Sequence, residues 1–174
     1  ILEVIVRICR PRTALVALLN NETGWLDVAA MYNPNEAMEK ILTGMKSFEV
    51  GMGTVTGRAA LFGKTVCVEN IEEDPDYTWQ EAMYAGGFMS SLGVPLIKTG
   101  ITVGVISMSY AKVAEFSKKQ VALAETFASQ AVIAISNTRL FTEVQQRTAE
   151  LTQALEYQTA TSEVLDVISR SPNE

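Results

Sequence analysis

Histidine is absent from all 174 residues. That removes the side chain most used as a general base near neutral pH, and the commonest metal ligand. If the protein works through a phosphorylated histidine, that residue belongs to other sequence. Cysteine is scarce too: Cys9 and Cys67 make no CxxC pair and no disulfide framework, which fits a reducing cytoplasm. No apolar run approaches the ~18 residues of a membrane span. No cluster of Lys and Arg occurs, and the net charge is −6 with a pI near 4.8. Nucleic acid and an anionic membrane surface are therefore not expected as partners. The chain opens at Ile1 with neither an initiator Met nor a leader, so it is expected to be a piece of a longer polypeptide.

What is present is an apolar content of 48%, enough to build a core. The remaining scarcity is local. Residues 116–171 contain no Gly or Pro, whereas residues 1–115 hold all eleven glycines and four of the five prolines. Read as one helix, the tract would extend about 84 Å at 1.5 Å per residue, against a radius of gyration of about 13 Å for the preceding body. It is expected to outrun its own domain and to need a second surface. Ser117 and Gln120 make a capping box at its start, with Phe116 and Val121 as a hydrophobic staple. Ala124, Phe127, Ala128, Ala131 and Ile135 share one stripe, and Val132, Ile133 and Ala134 make the helix apolar nearly all round. Such a helix is expected to be buried on two sides, one against its own sheet and the other against a second subunit. Beyond Asn137, Phe141, Thr148 and Leu155 recur every seven residues, as do Val144, Leu151, Gln158 and Leu165. That is a heptad seam with polar interruptions, expected to be a marginal coil suited to switching. The competing reading is an ordinary amphipathic helix folded back on its domain.

Residues 1–10 satisfy a helical and a strand periodicity equally, so they stay ambiguous. Residues 13–19 read as a strand, residues 20–24 as a turn, and residues 25–32 as the returning strand. A short helix is expected over 36–43, closed by Gly44, and another over 55–62 with Gly63 past its end. Residues 65–68 read as a short strand. Thr78 and Glu81 form a capping box for a helix stopped by Gly86 and Gly87. Residues 89–96 and 102–110 make the strongest hairpin, turning through Lys98, Thr99 and Gly100.

Taken together, GMGTVTGRAALFGKTVCV (51–68), DPDYTW (74–79), GFMSSLGVPL (87–96) and VGVISM (103–108) resemble a GAF domain. The tail FSKKQVALAETFASQAVIAISNTRLFTEVQQRTAEL is similar to the helix that links tandem GAF modules in bacterial sensor histidine kinases and nucleotide cyclases. TATSEVLDVISRSP looks like the entry to a following module. The resemblance implies an α+β fold: a central antiparallel sheet of about six strands, N- and C-terminal helices packed on one face, and a small-molecule pocket on the other. It implies that 1–10 is helix, that 1–138 is the GAF domain with a truncated first helix, and that 139–174 is a signalling-helix linker toward an effector domain in cis. It also implies a homodimer through the N- and C-terminal helices, carried here by Phe127, Ala131, Ile135, Phe141, Val144, Leu151 and Leu155. The ligand is unknown. Haem and bilin are not expected, since those subclasses place histidine beside the cofactor; no metal is expected either. No NKFDE-like string occurs, and the two cysteines do not reproduce the several of free methionine sulfoxide reductases. Many related modules have Asp where Asn70 stands.

The expected pocket lies where the helix around Arg58, the loop 70–79 and the strand entry 88–92 converge, because loops on a rigid sheet carry binding groups. Tyr77, Trp79 and Phe88 would be aromatic walls, Ser90 and Ser91 orienting hydroxyls, Arg58 a fork for an anion, and Asn70 and Met108 further contacts. Each has a plainer reading: the aromatics as core, Arg58 capping a carbonyl or pairing a nearby acid, the serines satisfying a strand end. Met31, Met83, Met89 and Met108 are expected as core, and Cys9 and Cys67 as small buried hydrophobes. The acidic run 72–76 lacks calcium-loop spacing and reads as a solvated loop. The functional expectation is a ligand-sensing regulatory module in the cytoplasm. The alternatives are a ligand-free dimerisation scaffold or an enzyme using Ser90 or Cys67 with Lys64 or Lys98 as base.

Overall fold

In a computed structural model, residues 2–32, 35–45 and 47–170 are described. The chain divides into two units, residues 1–132 and 133–174. The first is built on a six-stranded antiparallel sheet with strands in the order β3-β2-β1-β6-β5-β4. Its strands are β1 (Thr13–Leu19), β2 (Leu26–Tyr32), β3 (Ser47–Phe48), β4 (Val66–Val68), β5 (Ser90–Lys98) and β6 (Ile101–Tyr110). Its helices are α1 (Leu2–Cys9), α2 (Glu36–Met45), α3 (Val55–Phe62) and α4 (Gln80–Gly86), and α5 (Lys118–Arg170) begins in it.

Local chemistry accounts for most of these limits. Asn20 folds the β1–β2 turn by accepting from the N–H groups of Glu22 (2.9 Å) and Thr23 (3.2 Å) while donating to Asp27 (2.8 Å). The β5–β6 loop turns on Thr99 and Gly100, both at positive φ, the geometry a two-residue hairpin needs. Thr54 caps α3 by accepting from Gly57 N–H at 2.9 Å, and Gly63 closes that helix in the left-handed region. At the start of α5 the expected capping box is present. Ser117 N–H donates to Gln120 Oε1 at 3.0 Å, and Gln120 N–H donates to Ser117 Oγ at 3.3 Å. The Phe116 ring packs edge-on against Tyr110, with centroids 5.6 Å apart.

The first segment, left open by periodicity, is helical as the resemblance implied, with Ile5 and Val6 buried; residue 1 lies outside the described residues, as do residues 171 and 172 of the closing string. Other expectations are corrected. Gly44 does not end α2 but sits inside it. Its start is capped by Asn35, which accepts from Met38 N–H at 2.8 Å. The Thr78–Glu81 box does not form: α4 begins after Trp79 with no side-chain cap. Thr78 instead donates to the Gly53 carbonyl at 3.3 Å, tying the loop before α4 to the segment before α3. The two-residue strand β3 was not foreseen.

Alternation along the central strands separates two cores. Leu15, Ala17 and Val105 face α2, α3 and α4, packing with Met38, Val55, Ala59, Ala82 and Met83. Ala14, Val16, Leu92, Val94, Ile106 and Met108 point the other way. They too are buried, as are Ile5 and Val6 of α1 and Ala124, Ala128 and Ala131 of α5. Ala131, expected on a dimer face, is thus used inside its own unit. In the second unit Phe141, Val144, Leu151 and Leu155 are each more than 60% exposed. No helix among the described residues is long and apolar enough to cross a membrane.

Gly57 shows how closely α3 is seated: a Cβ there would lie 2.6 Å from the Glu49 carbonyl oxygen and 2.8 Å from that of Gly51. Alanine raises helix propensity by about 1 kcal/mol, but overpacking against backbone that cannot step aside costs about 1–3 kcal/mol. Gly57→Ala is therefore expected to lower stability, read as a lower urea midpoint with an unchanged slope.

Candidate functional site

The cavity lies on the face of the sheet covered by α2, α3 and α4. Its floor is a set of hydroxyls carried by three adjacent strands. Thr13, Ser109 and Ser91 stand in register across β1, β6 and β5, with Ser107 one step further along β6. All four are at least nine-tenths buried and line the cavity. Ser91 Oγ lies 3.0 Å from Ser109 Oγ and 3.4 Å from Ser107 Oγ, and donates to the Met108 carbonyl at 3.3 Å. Thr54, Val55 and Thr56 at the amino end of α3 also line the cavity. Phe48 and Trp79, stacked with centroids 4.8 Å apart, form the walls with Tyr77 and Phe88; Met31 and Met38 complete the apolar lining. The cavity has a volume of about 40 Å³, room for about three waters.

Thus Tyr77, Trp79, Phe88 and Ser91 come together at the cavity, and Arg58, Asn70, Ser90 and Met108 do not line it. Parity explains two of the four. Ser90 and Met108 occupy even positions of their strands and face the other core, where Ser90 donates to the Lys112 carbonyl at 2.8 Å. Asn70 caps its own loop, accepting from Glu72 N–H at 3.2 Å. Arg58 is occupied by the local acid and carbonyl of its plainer reading. Its guanidinium grips Asp74 through two bonds of 2.5 and 3.1 Å and donates to the Met52 carbonyl at 2.5 Å, with both side chains almost fully buried. The acidic run 72–76 is therefore not merely solvated, since Asp74 is its structural anchor. The hydroxyls of Thr13, Thr54, Thr56, Ser107 and Ser109 escaped the sequence reading; alternating small hydroxyl residues in SMSY (107–110) were the available signal.

The site carries little ionisable chemistry. Burial pushes the Tyr77 phenol well up, with Asp74 adding and Arg58 opposing, so it remains a neutral donor. Among the described residues no group of three His, Cys, Asp or Glu side chains is placed to hold a metal. Neither cysteine reaches the cavity. Cys67 is exposed, contrary to expectation; it lies on β4, the edge strand of the sheet, of which only three residues pair. Its thiol is pushed up by burial and by Glu69 and Glu125, which works against thiolate chemistry.

A family model described as GAF domain matches residues 1–136. The chain belongs to the GAF domain family. Solved structures agree at the level of fold. The GAF domain of a phosphoenolpyruvate-protein phosphotransferase from Coxiella burnetii superposes with a TM-score of 0.68 at 17% identity, over 80% of this chain and 82% of that one. A domain of a protein assigned as a two-component sensor histidine kinase, from Sinorhizobium meliloti, gives 0.67 at 17% identity, over 83% and 92%. The free methionine-R-sulfoxide reductase of Neisseria meningitidis, solved with its substrate, gives 0.65 at 20% identity, over 79% and 75%. No curated protein matches the chain significantly. GAF modules of such different proteins share the sheet, so the individual site decides what each does.

Two predictions follow from the GAF core. Asp74→Asn leaves the Arg58 guanidinium buried without a counter-charge, a loss of about 3–5 kcal/mol, whereas Arg58→Met with Asp74→Leu restores most of it; urea denaturation of the three proteins reads the difference. Tyr110 is pushed up to about 12 by burial and by Cys9, and Tyr77 moves the same way. An unfolded tyrosine ionises near 10, so from about pH 10 upward the unfolded chain binds fewer protons and stability falls. Below pH 10 the stabilisation is fully present; between 10 and 12 it is progressively lost. Tyr110→Phe is expected to flatten that alkaline slope of the denaturation midpoint.

Proposed function

We propose that this GAF domain is a regulatory sensor that binds a small molecule in the hydroxyl-floored cavity and passes its state through α5 to an effector domain in cis, in the manner of a sensor histidine kinase. The observation that carries this reading is the floor itself. A module serving only as scaffold gains most by filling that space with aliphatic side chains. This chain instead sets Thr13, Ser91, Ser107 and Ser109 beneath aromatic walls, the mixed lining of a small-molecule site. Residues 139–174 would be the transmitting segment and the cytoplasm its setting. A homodimer would form through α1 and α5, where Val4 and Ile8 of α1 and Phe141, Val144, Leu151 and Leu155 of α5 stand exposed. Coupling requires the ligand to bind the two helix arrangements with different affinity.

An enzymatic reading, favoured by the reductase among the structural neighbours, would have to use a serine or threonine hydroxyl with no Lys, Asp or Glu among the described lining residues to activate it; both thiols lie elsewhere and both are pushed up by burial.

Native mass spectrometry of the chain is expected to show a dimer and a retained small molecule. Burying one Leu contributes about 1.5–3 kcal/mol, so Leu151→Asp with Leu155→Asp in both copies should weaken the dimer by more than ~10³-fold. A variant pair that leaves the dimer intact would remove the heptad seam from the account. A Gly-Pro insertion after Val144 should uncouple output while binding persists.

A further inference from the structure

We propose that the cavity takes a short monocarboxylate, head toward the amino end of α3 and tail among the aromatic walls; this rests on reading the cavity as the sensing site. Charge narrows the class first. The described residues lining the cavity include no Lys, Arg, Asp or Glu, and the nearby Arg58 is already engaged by Asp74 and the Met52 carbonyl. An amino acid would bury an ammonium with no acidic partner, and a phosphate dianion would bury two charges with no cation.

The donors then favour a single negative charge. Thr54, Val55 and Thr56 all line the cavity. The Thr54 hydroxyl takes the Gly57 N–H, leaving the N–H groups of Val55 and Thr56 among the first-turn donors that have no intrahelical partner. A helix start of this kind attracts an anion through aligned N–H groups and the helix dipole. Independently, two buried hydroxyls point to a missing partner. Thr56 is 4% exposed and Thr13 7%. Neither side chain has a hydrogen-bond partner among the described residues, and both residues line the cavity. The two ends are brought close by Gly93: a Cβ there would lie 2.9 Å from the Val55 carbonyl oxygen, and Ser91 lies two residues away on the same face of β5. The start of α3 therefore sits beside the Thr13–Ser109–Ser91 row.

Size sets the tail. About three waters correspond to roughly 90 Å³ of liquid, the scale of a carboxylate bearing three or four carbons. Phe48, Trp79 and Phe88 receive the tail, and Met31 and Met38 can adjust around it.

The test uses the full chain with Trp25→Phe, so that Trp79 alone reports, titrated with isobutyrate, isobutyramide, isopropylammonium and inorganic phosphate. Isobutyrate is expected to change Trp79 emission saturably, and the amide of the same shape to bind at least ~10-fold more weakly. Thr56→Val should weaken isobutyrate by ~10-fold and leave the amide unchanged, its unliganded melting temperature being measured alongside; Thr13→Val serves if that variant does not fold. Amide binding as tight as acid binding overturns the carboxylate assignment and leaves the sensing cavity standing. Unchanged isobutyrate affinity in both threonine variants overturns the proposed head site. Silence of all four probes at millimolar concentration overturns the class. If native mass spectrometry still finds a retained molecule, only the class is wrong; if it finds bare protein, the sensing reading falls too.

Discussion

The cavity exists because Arg58 and Asp74 hold each other. Arg58 lies in the middle of α3 and Asp74 in the loop that carries Tyr77 and Trp79, so one buried, two-pronged pair joins the element forming one side of the cavity to the segment forming its wall. A guanidinium and a carboxylate meeting through two parallel bonds constrain direction as well as distance. The third bond, to the Met52 carbonyl, ties in the segment before α3 as well. The desolvation cost of such a pair is tolerable only when its remaining donors are matched, which Met52 helps to do. The Arg that looked suited to greet a ligand is thereby spent on architecture.

The second constraint is the parity of the strands. Each central strand sends alternate residues to a dry core shared with α1 and the beginning of α5, and to the cavity side. Neighbours in sequence therefore have unrelated duties. Ser91 belongs to the floor, while Ser90 ties the end of its strand to Lys112. Met108 packs in the dry core between Ser107 and Ser109, both of which face the cavity. A shift of one residue in the pairing of β5 with β6 would exchange these roles entirely.

Much of this was legible from residue order. The capping box of Ser117 and Gln120, the span of α3 over 55–62 with Gly63 past its end, and the turn at Thr99 and Gly100 are local chemistry and could be read without the fold. Tyr77, Trp79, Phe88 and Ser91 were placed near one another by motif. What could not be read is long-range. Whether Arg58 meets a ligand or Asp74 depends on a loop sixteen residues on, and whether Ser90 or Ser91 faces inward depends on register. The exposure of Cys67 follows from β4 lying at the sheet edge, which no local pattern announces. The box at Thr78 failed because Gly53, distant in sequence, offers its carbonyl to the same hydroxyl.

Along α5, Thr126, Ser129, Thr138, Thr142, Thr148, Thr152 and Thr161 each donate to the carbonyl four residues earlier in the same helix. Their hydroxyls are satisfied without reference to any neighbour. Turning the rod about its long axis breaks none of those bonds; the polar tie that fixes its azimuth lies near its start, where Glu125 accepts from the Thr65 hydroxyl at 2.6 Å, and these seven hydroxyls add nothing to it.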